Sequence, residues 1–215
     1  MVDAVIFDLD GVIVDSEPIW EEVRRGYVAR HGGHWQPDSQ RRLMGMSTGE
    51  WARYLSEELG VDRSPEQVAT EVIDEMAARY AEHVPLIPGS IDAVNRIAER
   101  WPLGLASSSP PRLIEAALAA AGLADRFRVT LSTEQVDRGK PAPDVYLAVA
   151  DRLRVEPARC AAVEDSANGV RSAAAAGMRV IAAPHGAYPL DDDAAAQATV
   201  VLSGIGELAE AHIRP

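Results

Sequence analysis

The sequence predicts an α/β protein with a doubly wound, Rossmann-like parallel sheet and a small α-helical cap domain inserted near the N-terminus. Short apolar runs alternate with helical segments along most of the 215 residues, as in a sheet covered by helices on both faces. Residues 15–85 break this alternation because they contain several helix starts and no convincing strand. We therefore predict a core domain formed by residues 1–14 and 86–215 and a cap domain formed by residues 15–85.

Six short apolar runs carry the predicted sheet. They are residues 4–7, 103–106, 128–131, 160–163, 179–182 and 199–202. Two alanine-rich segments between the later runs, 113–121 and 167–176, are predicted helices. Each is followed by a glycine, Gly122 or Gly177, and glycine is favoured just past a helix because it adopts the left-handed conformation without strain.

Two kinds of pattern predict that the cap domain is α-helical: signals for helix starts, and apolar residues at helical spacing. The segments beginning at Ser47 and at Ser64 both fit a capping box, in which side chains satisfy the free amides of the first turn. Apolar and aromatic residues recur at helical intervals in two places. These are Trp20, Val23 and Tyr27, followed by Trp51, Tyr54, Leu55 and Leu59. We interpret them as helix-to-helix packing.

Charge and composition narrow the function classes. Asp and Glu number 33 against 21 Lys and Arg, which gives a net charge of −12. Such a surface repels nucleic acid and anionic lipid, so we expect neither as a partner. No signal peptide or membrane-spanning run is visible, and we expect a cytoplasmic protein, for which a monomer is plausible. The one cysteine, Cys160, lies in an apolar run and is expected to be buried.

The first predicted strand is followed directly by Asp8-Leu9-Asp10-Gly11. In open α/β sheets, ligands bind beyond the carboxyl ends of the strands. Two carboxylates so close together are unfavourable unless a positive group lies near them. The simpler interpretation is a turn that ends the strand, since Asp and Gly favour turns.

Three further polar groups follow later strands. Ser107-Ser108-Ser109 offers hydroxyl donors for phosphoryl oxygens, although taken alone the run is better explained as a cap for the next helix. Lys140 lies between glycine and proline residues that would fix its direction, although a lone lysine is usually solvated. Glu164-Asp165 offers the carboxylate oxygens that Mg²⁺ prefers.

In this order, these groups resemble the signature of the haloacid dehalogenase superfamily over the whole chain. The matching positions are Asp8, Asp10, Ser107, Lys140, Glu164 and Asp165. The resemblance is to the branch with a helical cap, which contains β-phosphoglucomutase and sugar-phosphate phosphatases. It implies a phosphatase of small phosphorylated metabolites that depends on Mg²⁺ and forms an aspartyl-phosphate intermediate.

Roles for single residues follow from this resemblance. It implies that Asp8 is the nucleophile and Asp10 the general acid and base. Mg²⁺ would be held by Asp8, the backbone carbonyl of Asp10, Asp165 and, as an outer or alternate ligand, Glu164. Phosphoryl oxygens would be bound by Ser107, Ser108 and Lys140.

Two departures from the β-phosphoglucomutase pattern favour hydrolysis over phosphoryl transfer to a second sugar phosphate. Trp20 stands where that mutase has a histidine, and Thr48 stands where it has an arginine that binds a second phosphate. We expect Trp20, Gly45, Met46, Ser47 and Thr48 to face the substrate from the cap. The alternatives are mutase activity and a non-catalytic phosphate-binding protein. The run from Asp15 to Trp20 resembles that of hexitol- and 2-deoxyglucose-6-phosphate phosphatases, and phosphoglycolate is a competing substrate.

Overall fold

A computed structural model describes residues 1–43, 46–186 and 190–214 of the chain. It divides into two compact units, one formed by Met1–Asp15 with Val84–Pro215 and the other by Ser16–His83. The boundaries predicted from the sequence were 15 and 85. Each unit is described separately below.

The larger unit is built on a sheet of six parallel strands in the order β3-β2-β1-β4-β5-β6. The strands are β1 (Ala4–Phe7), β2 (Leu103–Ser107), β3 (Phe127–Ser132), β4 (Cys160–Glu164), β5 (Arg179–Ala182) and β6 (Val200–Val201). Strand β1 lies between β2 and β4, and the strand order reverses there. This arrangement confirms the predicted doubly wound parallel sheet and makes the carboxyl end of β1 the expected ligand position.

Six helices accompany this sheet. They are α5 (Ser90–Ala98), α6 (Pro111–Ala120), α7 (Asp144–Leu153), α8 (Ala167–Ala175), α9 (Asp192–Gln197) and α10 (Glu210–Ile213). Small side chains on α8 and on β4 share a buried core with Val145 and Val149 of α7. Gly122 and Gly177, just past α6 and α8, have φ angles of 68° and 77°, as predicted for helix caps. Cys160 is fully buried, as expected.

The described secondary-structure elements of the smaller unit are all helical. Its elements are α1 (Glu17–Arg30), α2 (Ser39–Leu43), α3 (Thr48–Arg53), a π-helical turn (Tyr54–Glu58) and α4 (Pro65–Glu82). Both predicted capping boxes are present, at Ser47 with Glu50 and at Ser64 with Gln67. The aromatic and apolar residues that recur at helical spacing are buried in this unit, which confirms their role in helix packing. They are Trp20, Val23, Tyr27, Trp51, Tyr54, Leu55 and Leu59.

Candidate active site

The parallel sheet brings three sequence motifs to one edge. Asp8 follows the last residue of β1, and its backbone N–H donates to the Val163 carbonyl at 2.9 Å, which extends the ladder between β1 and β4. Glu164 is the last residue of β4, and Ser107 is the last residue of β2. Because parallel strands all end at the same edge, the acidic pairs and the serine meet as predicted from their positions after apolar runs.

Lys140 connects two of these strand ends. Its Nζ lies 2.6 Å from Glu164 Oε1, 3.0 Å from the Ala106 carbonyl oxygen and 3.2 Å from Asp8 Oδ1. These three contacts match the three donors of an ammonium group. The loop that carries the lysine is also held by Ser172 of α8, whose hydroxyl donates to the Ala142 carbonyl at 2.6 Å. The direction of the Lys140 side chain is therefore fixed from several sides.

Lys140 remains charged although it is buried. Burial, the largest influence, lowers the pKa of its ammonium group. The negative charges of Asp8 and Glu164 together outweigh burial and raise the pKa above its ordinary value. The site therefore contains a permanent positive charge beside Asp8.

Glu164 lies beneath this lysine with no solvent exposure. Its Oε1 also accepts a hydrogen bond from the Tyr146 hydroxyl at 2.6 Å, and its Oε2 accepts from the Asp165 amide at 3.2 Å. Gly169 of α8 provides the space, because a Cβ at that position would overlap the carboxyl group of Glu164. These donors satisfy the hydrogen-bonding capacity of a carboxyl group that is removed from water.

Asp8 and Asp165 lie in a negative environment. Burial is the main cause that raises the pKa of the Asp8 carboxyl well above its ordinary value, and Glu164 adds to it. The same two causes raise the pKa of Asp165 to about 8. Gly11, with φ of 73°, lies so close to Asp165 that a Cβ would overlap the carboxylate. One oxygen from each of Asp8, Glu164 and Asp165 lies within 4.8 Å of the others.

This cluster could hold a divalent metal ion. Three carboxylates are gathered around one lysine, and two of them have pKa values raised by burial and mutual repulsion. A hard cation relieves such repulsion, and carboxylate oxygens are the protein ligands that Mg²⁺ and Ca²⁺ prefer. The donor set therefore fits a bound divalent cation.

Asp10 faces the serines that follow β2. Its Oδ2 accepts hydrogen bonds from the Ser109 hydroxyl at 2.7 Å and from the Ser107 hydroxyl at 3.3 Å. Its Oδ1 is buried and has no hydrogen-bond partner within the described parts of the chain. Ser108, the other predicted phosphate-binding residue, is exposed at the surface. The sequence indicated Ser109 only as part of a run of three hydroxyl donors, and the structure places its hydroxyl nearer to Asp10 than the Ser107 hydroxyl is.

In the helical unit, the predicted substrate-facing residues have different surroundings. The Trp20 ring packs against Trp51 at 5.9 Å between centroids, and the Arg24 guanidinium lies 4.2 Å above Trp20. Arg24 therefore places a positive charge beside Trp20 that no sequence pattern indicated. Ser47 caps α3, where its backbone N–H donates to Glu50 at 2.8 Å.

The remaining predicted residues of this loop are less informative. Met46 and Thr48 are half-buried. Gly45 lies outside the described residues.

The family of the chain can be recognised from sequence similarity. Residues 2–177 match the model of the haloacid dehalogenase-like hydrolases. The chain belongs to this family. The matched region includes every residue of the strand-end cluster described above, and the expectation of an enzyme of this hydrolase class is confirmed.

Individual relatives in the haloacid dehalogenase-like family are similar over most of the chain. A phosphorylated carbohydrates phosphatase of Thermotoga maritima is 35% identical over 181 residues, which are 84% of each chain. Hexitol phosphatase B of Escherichia coli O157:H7 is 35% identical over 211 residues, 95% of this chain and 93% of that protein. The crystal structure of CbbY from Rhodobacter sphaeroides in complex with phosphate is 28% identical, with a TM-score of 0.88 and 99% coverage of both chains.

Among residues 1–43, 46–186 and 190–214, no helix is both long and apolar enough to cross a lipid bilayer.

Proposed function

We propose that this haloacid dehalogenase-like hydrolase is a Mg²⁺-dependent phosphatase of small phosphorylated carbohydrates that forms an aspartyl-phosphate intermediate on Asp8. The observation that carries the proposal is the contact of Asp8 with Lys140 beside the acidic cluster at the end of β1 and β4. The names of the similar proteins from Thermotoga maritima and Escherichia coli, phosphatases of phosphorylated carbohydrates and of hexitol phosphates, support the substrate class.

Asp8 is suited to attack phosphorus. Its Oδ1 accepts from the Leu9 amide at 2.7 Å and from Lys140 at 3.2 Å, so the carboxylate is held in one orientation. In the first step, an Asp8 carboxylate oxygen forms a bond to phosphorus while the bond from phosphorus to the sugar oxygen breaks. Lys140 stabilises the negative charge that is shared between Asp8 and the phosphoryl group.

Asp10 acts as the general acid in the first step and as the general base in the second. It gives its proton to the sugar oxygen as that oxygen leaves, so that a neutral alcohol is released. In the second step, Asp10 takes a proton from water while the water oxygen attacks phosphorus. The bond between phosphorus and Asp8 then breaks, which releases inorganic phosphate and restores the Asp8 carboxylate.

The metal would be held by Asp8, Asp165 and the backbone carbonyl of Asp10. When bound, Mg²⁺ would neutralise charge on the carboxylates and on the phosphoryl oxygens. Glu164 is the fourth predicted ligand. Its Oε1 accepts from Lys140 and Tyr146, and its Oε2 accepts from the Asp165 amide and the Ser166 hydroxyl, so we place Glu164 as an outer ligand.

Phosphoryl oxygens would be bound by Lys140, by the Ser107 hydroxyl and by backbone amides near Ser108. The Ser107 hydroxyl now lies 3.3 Å from Asp10, a long contact that it could exchange for a phosphoryl oxygen. Residues of the helical unit would choose the rest of the substrate. They are Trp20, Gly45, Met46, Ser47 and Thr48.

A metabolite screen tests this proposal. Purified protein is incubated with hexose, hexitol and pentose phosphates and with phosphoglycolate, and inorganic phosphate is measured. We expect release from one or more sugar or hexitol phosphates in Mg²⁺, none in excess chelator, and recovery when Mg²⁺ is restored.

Three variants complete the screen. Asp8→Asn should be inactive under every condition, and Asp165→Asn should need far more Mg²⁺. Arg138→Ala, which removes an exposed surface cation, should behave as the wild type. Full activity in chelator would refute the dependence on a divalent metal. Phosphate release only from phosphoglycolate would refute the assignment of carbohydrate phosphates as the substrates.

A further inference from the structure

Two serine hydroxyls lie within hydrogen-bond distance of the same oxygen of Asp10, but at different distances. Ser109 Oγ lies 2.7 Å from Asp10 Oδ2, whereas Ser107 Oγ lies 3.3 Å from the same atom. The shorter distance is typical of a well-formed hydrogen bond from a hydroxyl to an oxygen, and the longer one is not. Ser109 is therefore the stronger partner of Asp10.

The position of Ser109 leaves its hydroxyl little freedom. The residue is only 6% exposed, and its backbone N–H donates to Ser107 Oγ at 3.0 Å. Pro110 follows it, and a residue before proline is restricted to extended backbone conformations. Since a serine hydroxyl has one proton to donate, the proton given to Asp10 is not available to a phosphoryl oxygen.

The other carboxyl oxygen of Asp10, Oδ1, lacks such a hydrogen bond to either serine. Oδ1 is buried and, across the described part of the chain, has no hydrogen-bond partner. A buried polar oxygen without a partner is uncommon in a folded protein and calls for an explanation. An oxygen that must hold a proton and pass it to a substrate atom would be left free in this way.

We propose that Ser109 is a positioning residue for the acid and base Asp10. Its hydroxyl holds Oδ2 and thereby directs Oδ1 to the sugar oxygen in the first step and to water in the second. Ser107 is then the serine that serves the phosphoryl group. This inference rests on the role given to Asp10 under the proposed function, and the test separates the two.

Leaving groups distinguish a positioning residue from a structural one. A sugar alkoxide needs a proton as it departs, whereas p-nitrophenolate is a stable anion that leaves without one. The ratio of kcat/KM for sorbitol 6-phosphate, or for the best sugar phosphate of the screen, over p-nitrophenyl phosphate therefore reports on the acid. Because kcat/KM ends at the first irreversible step, the later attack of water does not obscure this ratio.

We expect Ser109→Ala to lower this ratio roughly tenfold, as the loss of one hydrogen bond that orients the acid would. Ser109→Cys, similar in size but a weak donor, should lower it in the same direction and serves if the alanine variant folds poorly. The matched control is Ser39→Ala. Ser39 is a fully buried serine of the helical unit whose hydroxyl lies 3.1 Å from the Tyr54 hydroxyl, and its loss should leave the ratio unchanged.

Asp10→Asn separates failure of the proposed function from failure of this inference. If Asp10→Asn leaves the ratio at the wild-type value, Asp10 is not the acid, and both proposals are overturned. If Asp10→Asn lowers the ratio but Ser109→Ala and Ser109→Cys change both substrates equally, only the role of Ser109 is overturned. A selective loss in all three variants supports both.

Discussion

The ammonium group of Lys140 lies 2.6 Å from Oε1 of Glu164, and the glutamate side chain has no exposure to solvent. The lysine also lies 3.2 Å from Asp8, so one buried cation stabilises both an interior carboxylate and the proposed nucleophile. The same contacts that build the site therefore also maintain the fold around it. This dual role gives the first prediction.

Lys140→Met should destabilise the protein as well as abolish activity. It leaves Glu164 buried without its cation, and breaking a buried ion pair from one side typically costs about 3–5 kcal/mol. Urea unfolding in the absence of metal measures the loss.

Arg138→Met is the matched control, because Arg138 pairs with Asp144 at 2.8 Å but is largely exposed. An exposed pair of this kind contributes about 1 kcal/mol or less. Equal losses in the two variants would show that Glu164 does not depend on Lys140 for its burial.

Gly169→Ala should disrupt the site by displacing the buried side chain of Glu164. The added methyl group would overlap the carboxyl group of Glu164, which must then move away from Lys140 and Tyr146. We expect lower thermal stability and loss of phosphatase activity, measured by calorimetry and phosphate release. The control for stability is Gly49→Ala in α3, where a Cβ meets no other atom within 4 Å and where alanine favours the helix. A Gly169→Ala protein as stable and active as the wild type would show that Glu164 can be displaced without cost.

Cys160 gives a prediction about pH. Burial, with a smaller effect of the Asp3 charge, raises the pKa of its thiol from 9.0 to about 11. The folded protein therefore keeps this proton over a pH range in which the unfolded chain loses it. Stability should be complete below pH 9 and should fall as the pH rises towards 11.

Urea unfolding at several pH values tests the Cys160 prediction, with Cys160→Ala as the control. Between pH 8 and 10 the free energy of unfolding should fall more in the wild type than in Cys160→Ala. At pH 8, Ellman's reagent should react far more slowly with the Cys160 thiol of the native wild-type protein than with the same thiol in denaturant. Rapid native-state reaction, or identical pH dependence in the two proteins, would contradict the burial of the thiol.

The sequence predicts residues at the ends of strands better than it predicts contacts between distant segments of the chain. Asp8 and Glu164 could be placed together because each lies at the end of an apolar strand, and parallel strands end at one edge. Lys140 lies in the loop between β3 and α7, and its place beside them was implied by the family resemblance. Tyr146 and Gly169 could not be assigned a part in the site, and the contact of Ser109 with Asp10 could not be predicted. Their significance depends on distances between separate segments, and neither serine spacing nor an isolated tyrosine or glycine encodes such distances.

The ends of elements were predicted less well than their order. The last strand was expected at 199–202 but is only two residues long, and the π-helical turn at Tyr54–Glu58 follows from no simple periodicity. In the helical unit, the spacing of Trp20 and Trp51 predicted packing, and both are buried. The Arg24 guanidinium on Trp20 was missed because a charged residue on a helix is normally assigned to the solvated face.

Hydrolysis and phosphoryl transfer between sugar phosphates can be separated with one substrate pair. The neutral hydroxyl of Thr48 lacks the charge and forked donors with which an arginine binds a second phosphate. We expect β-glucose 1-phosphate with a trace of glucose 1,6-bisphosphate to give inorganic phosphate, with little glucose 6-phosphate. Coupled enzyme assays measure both products.

Efficient formation of glucose 6-phosphate without phosphate release would contradict this expectation and favour a mutase. Arg24, Arg42 and Arg53 would then be the candidates for binding the second phosphate. Arg24→Met, Arg42→Met and Arg53→Met can then be compared in the same assay. A variant that loses glucose 6-phosphate formation alone would identify the responsible arginine.

The central claim is a covalent phosphoryl group on Asp8, and trapping it is the most direct test. The protein is mixed with its best substrate in Mg²⁺, quenched in acid within the first turnover, digested and examined by mass spectrometry. We predict a phosphoryl group on the peptide that contains Asp8, formed at least as fast as phosphate is released and absent in Asp8→Asn. Release of phosphate by an Asp8→Asn protein at the wild-type rate, or a first turnover with no phosphorylated peptide, would contradict the account.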